Sequence, residues 1–276
     1  MDNLQRPTAS DDADFASIEH VERDAWIDMV EAAPDAVRKS LGLACRRIGE
    51  AGLVICGAID HMQFNRLAAL GLTRPASPGA LDAALAEFTA AGVRNGIVQC
   101  PDGLTDLADL CSARGLVPHQ RTWAKFQRGP GPVEARTELE VREIGPAEGA
   151  AFGAAVAAGF GLPPSVAAWV EPLSGRAGWR CFAAFDGAAM VAAGALYRSG
   201  AAAWLGLGAT LPTHRRRGAQ SALLAARIAA ATGAGCRLLT TETGVPHEGE
   251  AGPSFKNIQA AGFKIAYLRP NYCRPG

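Results

Sequence analysis

Between residues 202 and 233 the hydrophobic period of the chain changes once, and the change separates a strand from a helix. Residues 202–209 set Trp204, Leu205 and Leu207 among alanines and glycines, a run of about 8 residues that suits a buried strand. Pro212 lacks a backbone donor and ends the ladder. From Ala219 onward Leu224, Ile228 and Ala231 recur at i, i+4 and i+7, the spacing of one helix face. Gly233 and Gly235 stop that helix. Arg215, Arg216, Arg217 and Gly218 occupy the turn between strand and helix.

The same patterning predicts the remaining elements. Residues 1–12 are polar and read as a disordered tail. Phe15, Ile18, Trp26, Met29 and Val30 place a helix over 14–33, and Pro34 opens a second helix to 49. A strand over 52–59, a helix over 78–91, a strand over 93–100, a helix over 104–113 and a strand over 119–126 follow. The segment 128–138, RGPGPVEARTE, mixes proline and glycine with polar residues and is the best linker in the chain. Beyond it come a strand over 139–144, helices over 146–159 and 164–173, and strands over 180–186 and 188–197 joined at Asp186-Gly187, a hairpin signal. The 202–233 element is followed by a strand over 236–241, a helix over 254–261 and a strand over 263–268. Such alternation predicts an α/β protein with mixed sheets flanked by helices. The two halves share an order of elements, and ARGLVPH at 113–119 parallels AAGFKIA at 260–266. A weak internal duplication accounts for both.

Composition sharpens this in three ways. A chain of 276 residues, 49% hydrophobic, has the length and apolar content for two cores. The expected division is 13–127 and 139–276, either side of the linker. A net charge of +0 argues against nucleic acid or an acidic membrane as the main partner. Seven cysteines stand singly with no CxxC pair, which predicts reduced thiols in a cytoplasm and no zinc site. The polar, acidic N-terminus does not read as a signal peptide, and no apolar run reaches the ~20 residues of a membrane span.

The three arginines before the 219–233 helix are misplaced for a helix without a partner. A helix start carries partial positive charge and unpaired N–H groups, and acidic residues belong there. A bound phosphate or pyrophosphate resolves the conflict, and Gly218 allows the backbone to approach it. A solvated basic turn is the alternative. No G-x-x-x-x-G-K-[ST] occurs, which argues against an NTPase, and no G-x-S-x-G elbow occurs.

Arg215-x-x-Gly218-x-Gln220, after a strand and opening a helix, resembles the acyl-CoA-binding motif Q/R-x-x-G-x-G/A of the GNAT superfamily of N-acetyltransferases, with Gln220 departing from the last position. Residues 254–263, SFKNIQAAGF, resemble the later helix of that family with its terminal Gly-Phe pair. The resemblance covers about 138–276. It implies two GNAT-like domains in tandem, the first degenerate, and a second that uses acetyl-CoA and needs no metal. It implies that the turn Arg215, Arg216, Arg217, Gly218, Ala219 and Gln220 holds the pyrophosphate, that the strand end at Ala209 and Thr210 pairs with the pantetheine arm, and that the next strand splays away. Gly206 and Gly208 fit a bulge there. Asn257 contacts the cofactor or caps its helix.

Direct acyl transfer to an amine needs a base, often through water. Glu242, ending the strand after the helix, is the candidate; a strand-end charge or an anion that recognises the amine are its other readings. Glu248 and Glu250 have weaker claims. The family often places a tyrosine as acid four residues before the Gly-Phe pair, where this chain has Ile258, and Tyr267 and Tyr272 come too late. The expectation is an N-acetyltransferase acting on a small molecule or peptide amine, as monomer or homodimer. A non-catalytic acyl-CoA-binding module is the alternative. DNA binding through the arginine triplet is a third reading, opposed by the neutral charge. In the first half, His61, Trp26, Trp123 and Phe126 read most simply as packing or surface residues.

Overall fold

The computed structural model describes residues 9–276, with side chains from Phe15. Of the expected tail 1–12, residues 1–8 lie outside the described residues, and residues 9–12 already belong to the first helix. The first half runs α1 (Ala9–Ala32), α2 (Asp35–Leu41), β1 (Leu43–Ile48), β2 (Ala51–Cys56), β3 (Arg66–Ala68), α3 (Pro78–Ala90), β4 (Ile97–Gln99), α4 (Thr105–Ala113), β5 (Val117–Pro118) and β6 (Trp123–Arg128). The second runs β7 (Glu140–Ile144), α5 (Gly149–Phe160), α6 (Ser165–Val170), β8 (Trp179–Asp186), β9 (Ala189–Ser199), β10 (Ala202–Thr210), α7 (Ala219–Gly233), β11 (Leu238–Gly244), α8 (Pro253–Ala260), β12 (Lys264–Arg269) and β13 (Asn271–Cys273).

Two mixed sheets result, flanked by helices as the alternation of elements implied. One has the order β1-β2-β3-β4-β13-β5 and the other β12-β6-β11-β10-β9-β8-β7. Each contains one parallel pair, β3·β4 in the first and β10·β11 in the second. Beside that pair each sheet takes an antiparallel strand from the other half of the chain: β13 lies against β4, and β6 lies against β11. An edge strand follows, β5 in the first sheet and β12 in the second. The internal duplication is thus a duplication of topology, closed by a reciprocal exchange of strands. The exchange crosses the division at 128–138, because β6 precedes it and β13 lies at the far end of the chain. Residues 129–139 have no regular structure.

Four local expectations are corrected. The helix over 34–49 ends at Leu41, because Gly42 caps it in the left-handed region (φ 60), and Leu43–Ile48 then pairs with β2. That strand, LACRRI, sets its two arginines side by side and so shows no strand alternation. The strand over 119–126 starts only at Trp123, in β6, and β5 lies before it at 117–118. The short strands β3 and β13, three residues each, carry too little periodicity to read. Because β3 interrupts the stretch between β2 and α3, the turn into α3 is 69–77, not the long segment that sequence suggested.

Three apolar cores follow from the layers. Leu81, Ala84 and Phe88 of α3 and Leu107 and Cys111 of α4 pack on the first sheet. Leu223, Leu224 and Ile228 of α7 pack with Phe126 and Phe263 on the second. The third core joins the halves: Val21, Trp26, Met29 and Val30 of α1 meet Phe152 and Val156 of α5, Trp169 of α6, and Trp204 of β10. Burying side chains of this size contributes about 1.5–3 kcal/mol each. Polar clasps orient the contact. The Trp169 indole donates to Met29 O at 3.0 Å, and Asp28 accepts from Arg176 and from the Trp179 indole at 2.6–2.8 Å. No helix among the described residues is long and apolar enough to cross a membrane.

Candidate functional site

The β10·β11 pair is hydrogen-bonded only from Ala202↔Leu238 to Trp204↔Thr240, yet β10 runs on to Thr210 and β11 to Gly244. The two strands part. On its other side β10 shifts register against β9 between Gly206 and Ala209, and Leu207 sits at φ 54. This is the bulge expected from the two glycines. A left-handed non-glycine residue costs about 1–2 kcal/mol, and such strain gathers where a backbone is held for a purpose. A cavity of about 790 Å³ opens at the parting, lined by Trp204 to Gly208 of β10, Thr241 to Gly244 of β11, and Gln220, Leu224 and Arg227 of α7.

The first half supplies the opposite wall with Trp26 and Met29 of α1, the turn around His61 and Phe64, and His119 to Arg121 and Trp123. His61 is exposed, and its Nδ1 accepts from Gln63 N. The indole N–H groups of Trp26 and Trp123 have no partner among the described residues.

Glu242 lines this cavity with its side chain 13% exposed. Its Oε2 accepts from the Trp204 indole at 2.8 Å and from Lys125 Nζ at 2.9 Å. Lys125 stands on β6 directly across the ladder from Glu242, so the strand exchange delivers it. Its ammonium, fully buried, also donates to Glu22 of α1. Behind it Glu22 pairs with Arg66 of β3 and Arg269 of β12. Arg269 also pairs with Glu19, whose Oε1 accepts from the Tyr267 hydroxyl at 2.6 Å.

Burial pushes the Glu22 carboxyl up, but Arg269, Lys125 and Arg66 outweigh it and hold the group well below the usual carboxylate range. Burial lowers Arg66 to about 10, and its guanidinium stacks 4.0 Å from the Trp26 ring. Buried charges at this density are tolerable only as a paired network. No sequence periodicity signals it, since its members come from α1, β3, β6, β11 and β12. Tyr267, set aside as too late for an acid, belongs here.

The anion turn is built differently from the expectation. Pro212–His214 forms a 3-10 turn, and Gly218 (φ 79) starts α7 with no side-chain cap among the described residues. An added Cβ at Gly218 would also collide with the Arg136 carbonyl oxygen, and Thr137 Oγ1 donates to Arg217 O at 2.7 Å. Segment 129–139 therefore straps the turn in place. The arginines are not equivalent. Arg217 pairs with Asp186 at 2.5 Å, and His214 lies 3.3 Å from the same carboxylate. Arg215 donates to Gly159 O at 3.2 Å. Only Arg216, at φ 65, is exposed without an ion pair or side-chain hydrogen bond among the described residues. The charge conflict inferred from three arginines reduces to one free guanidinium beside the open N–H groups of Gly218, Ala219 and Gln220.

Gln220, where the family pattern has a small residue, reaches back. Its Nε2 donates to Ala209 O at 2.8 Å and Thr210 Oγ1 at 2.9 Å. Ala209 and Thr210 are covered by α5, pair with β9, and do not line the cavity. The cavity meets β10 one step earlier, at Gly206, Leu207 and Gly208. Asn257 of α8 does line it.

No family model matches the chain, and no curated protein sequence matches it. Solved structures do. A GCN5-related N-acetyltransferase from Kribbella flavida aligns over 88% of this chain and 96% of its own, with a TM-score of 0.61 and 16% identity. A GCN5-related N-acetyltransferase from Sphaerobacter thermophilus aligns over 82% and 81%, with a TM-score of 0.56 and 17% identity. A tandem GNAT protein from the clavulanic acid biosynthesis pathway aligns over 92% and 94%, with a TM-score of 0.53 and 16% identity. The chain has the GNAT acetyltransferase fold, as the resemblance of its second half implied.

Proposed function

We propose that the chain is an N-acetyltransferase that moves an acetyl group from acetyl-CoA to an amine within the cavity between β10 and β11. The observation that carries this reading is the parted strand pair, with a strained bulge on one arm and a carboxylate on the other. The residues fit the cosubstrate. The uncapped start of α7 and Arg216 suit a pyrophosphate, and the bulge takes Leu207 and Gly208 out of the ladder with β9, which leaves their backbone groups for a pantetheine arm. These replace Ala209 and Thr210 as the proposed strand contact. Arg215 and Arg217 become supports of the turn, and Asn257 a wall of the slot.

A neutral amine attacks the thioester carbonyl, the C–N bond forms, and the C–S bond breaks. Glu242 takes the amine proton, directly or through water. The Trp204 indole and Lys125 hold one carboxylate oxygen and so fix the orientation of the other. Ile258 cannot donate a proton to the leaving sulfur. The first half binds no acyl-CoA but forms the acceptor wall with Trp26, Met29, Phe64 and Trp123.

Titration of the whole chain with acetyl-CoA, followed by thiol release across a panel of amines, tests the reading; absence of acetyl-CoA binding would sink it. Glu242→Gln is expected to lower turnover by about 10²–10⁴-fold while CoA affinity stays nearly unchanged. Unchanged turnover would remove Glu242 as the base. A second reading, a non-catalytic acyl-CoA-binding module, is favoured by the Lys125 contact, which makes Glu242 a structural counter-ion. It predicts CoA binding with no thiol release from any amine.

A further inference from the structure

Among the described residues, Arg227 is the one buried charge that the ionic cluster does not absorb. It is 2% exposed, in the middle of α7, and among the described residues no carboxylate lies within ion-pair distance of it. A buried guanidinium without a counter-ion is costly. Three backbone carbonyls hold it: Nε donates to Leu223 O at 3.0 Å, and Nη1 donates to Gly206 O at 3.0 Å and Ala195 O at 3.3 Å.

Nη2 has no protein acceptor among the described residues, and Arg227 lines the cavity. Gly194 makes the space: an added Cβ there would lie 2.8 Å from Arg227 Cζ, whereas one at Gly208 would meet Gln220 Oε1 at 2.9 Å and leave Nη2 in ordinary contact at 3.5 Å. The charge is therefore housed directly under the bulge, with Gly206 O turned onto it and one nitrogen left for whatever enters the slot.

We propose that Arg227 is the positive charge that stabilises the coenzyme A thiolate as it leaves. The inference rests on the acyl-CoA reading above. As the amine nitrogen bonds to the carbonyl carbon, negative charge passes first to the carbonyl oxygen and then, when the C–S bond breaks, to sulfur. The amine proton goes to Glu242, so the thiolate departs unprotonated and takes its proton later from water. Ile258 supplies no acid. A fixed, buried cation at the wall of the slot does the same task by electrostatics, and it also explains why so expensive a charge is kept buried. Burial lowers Arg227 to about 10, so it stays charged at neutral pH.

The test compares binding of coenzyme A with that of desulfo-coenzyme A, which lacks the sulfur, to the full chain between pH 6.5 and 9. Among the elements packed on α7, which are β7, β8, β9, β10 and α8, the titratable group in electrostatic contact with Arg227 is the Cys181 thiol of β8. Burial pushes it up to about 12, so it stays neutral throughout. Titrations remote from the sulfur affect both ligands alike, and those of His61, His119, His247 and Glu242, which line the same cavity, are separated from that of the bound thiol by the Arg227 variants. Coenzyme A is expected to gain at least about tenfold in affinity over desulfo-coenzyme A as pH rises, the gain of one pKa unit on a bound thiol. Arg227→Met should abolish that gain and leave desulfo-coenzyme A affinity unchanged, and Arg227→Lys should keep part of it.

Parallel pH profiles for the two ligands in the unaltered chain would overturn the proposal. So would loss of desulfo-coenzyme A binding in both variants, which would make Arg227 a support of the bulge alone. If neither ligand bound the unaltered chain, the acyl-CoA reading would fail, and this inference with it.

Discussion

The two halves repeat one topology, and the repeated β-turn-helix-β unit differs between them in chemistry more than in length. In the first, β3 leads through 69–77 into α3; in the second, β10 leads through 211–218 into α7. Ser77 accepts from Ala80 N at the start of α3, and Pro78 follows at the first position with no N–H to offer. The donors that an anion needs are spent within the helix itself. At α7 a left-handed glycine stands in that place, and no side chain among the described residues caps the end. The parallel pairs differ in the same sense. β3 and β4 stop after three residues each, so they have no length over which to part. β10 and β11 outlast their pairing and open a cavity. The proposed site is thus marked by local satisfaction withheld among the described residues: an end left uncapped, a ladder left unpaired, a charge left without its counter-ion.

The sharpest way to break the comparison is to separate the halves. Fragment 139–276 lacks β6, hence Phe126 in its core and Lys125 opposite Glu242. It is expected to show no cooperative thermal transition alone and to regain one when fragment 1–138 is added. A folded, acyl-CoA-binding 139–276 would show the exchange to be dispensable.

Next in size is the network that links them. Lys125→Met leaves Glu22 and Glu242 without their shared cation and should cost about 3–5 kcal/mol in urea unfolding. A related effect is expected with pH. The folded Glu22 pKa lies below its ordinary value of 4.5, so its contribution is complete above about that pH and fades as pH falls below it. Glu22→Gln should flatten the acid limb of stability; an unchanged limb would assign acid sensitivity elsewhere.

Gly218→Ala and Ser77→Ala then probe the two helix starts. The first should destabilise by at least about 1–2 kcal/mol, from φ alone, and lower acyl-CoA affinity tenfold or more. Ser77→Ala should cost about 0.5–2 kcal/mol and leave that affinity unchanged. Equal losses of affinity would show that the first half shares the site. Smallest is Arg216→Ala, a loss of a few-fold in affinity that shrinks as salt screens the exposed charge.

Most of the long elements were legible in sequence because local period and punctuation set them. The 78–91 helix, the Asp186-Gly187 hairpin and the helix from Ala219 to Gly233 need no distant partner to declare themselves. The bulge was legible from Gly206 and Gly208. Their neighbourhood was less legible: that Gln220 would donate to Ala209 O and Thr210 Oγ1, and that Asp186 of the hairpin would pair with Arg217, depends on contacts the local pattern does not carry. Arg227 falls on the apolar face already marked by Leu224, Ile228 and Ala231, but position on a face does not show whether a counter-ion meets the charge.

By itself the sequence determined the helices, the longer strands, the uncapped glycine turn and the carboxylate at the end of β11, all of which depend on residues within a few positions of each other. Tertiary structure alone decided which sheet β6 and β13 would join and that Lys125 would face Glu242. It also decided that Glu19, Glu22, Arg66 and Arg269 would neutralise one another, and that Arg227 would not be neutralised. Strand pairing and charge compensation are long-range: a strand carries no mark of its partner, and a charge shows its cost only once water is removed around it.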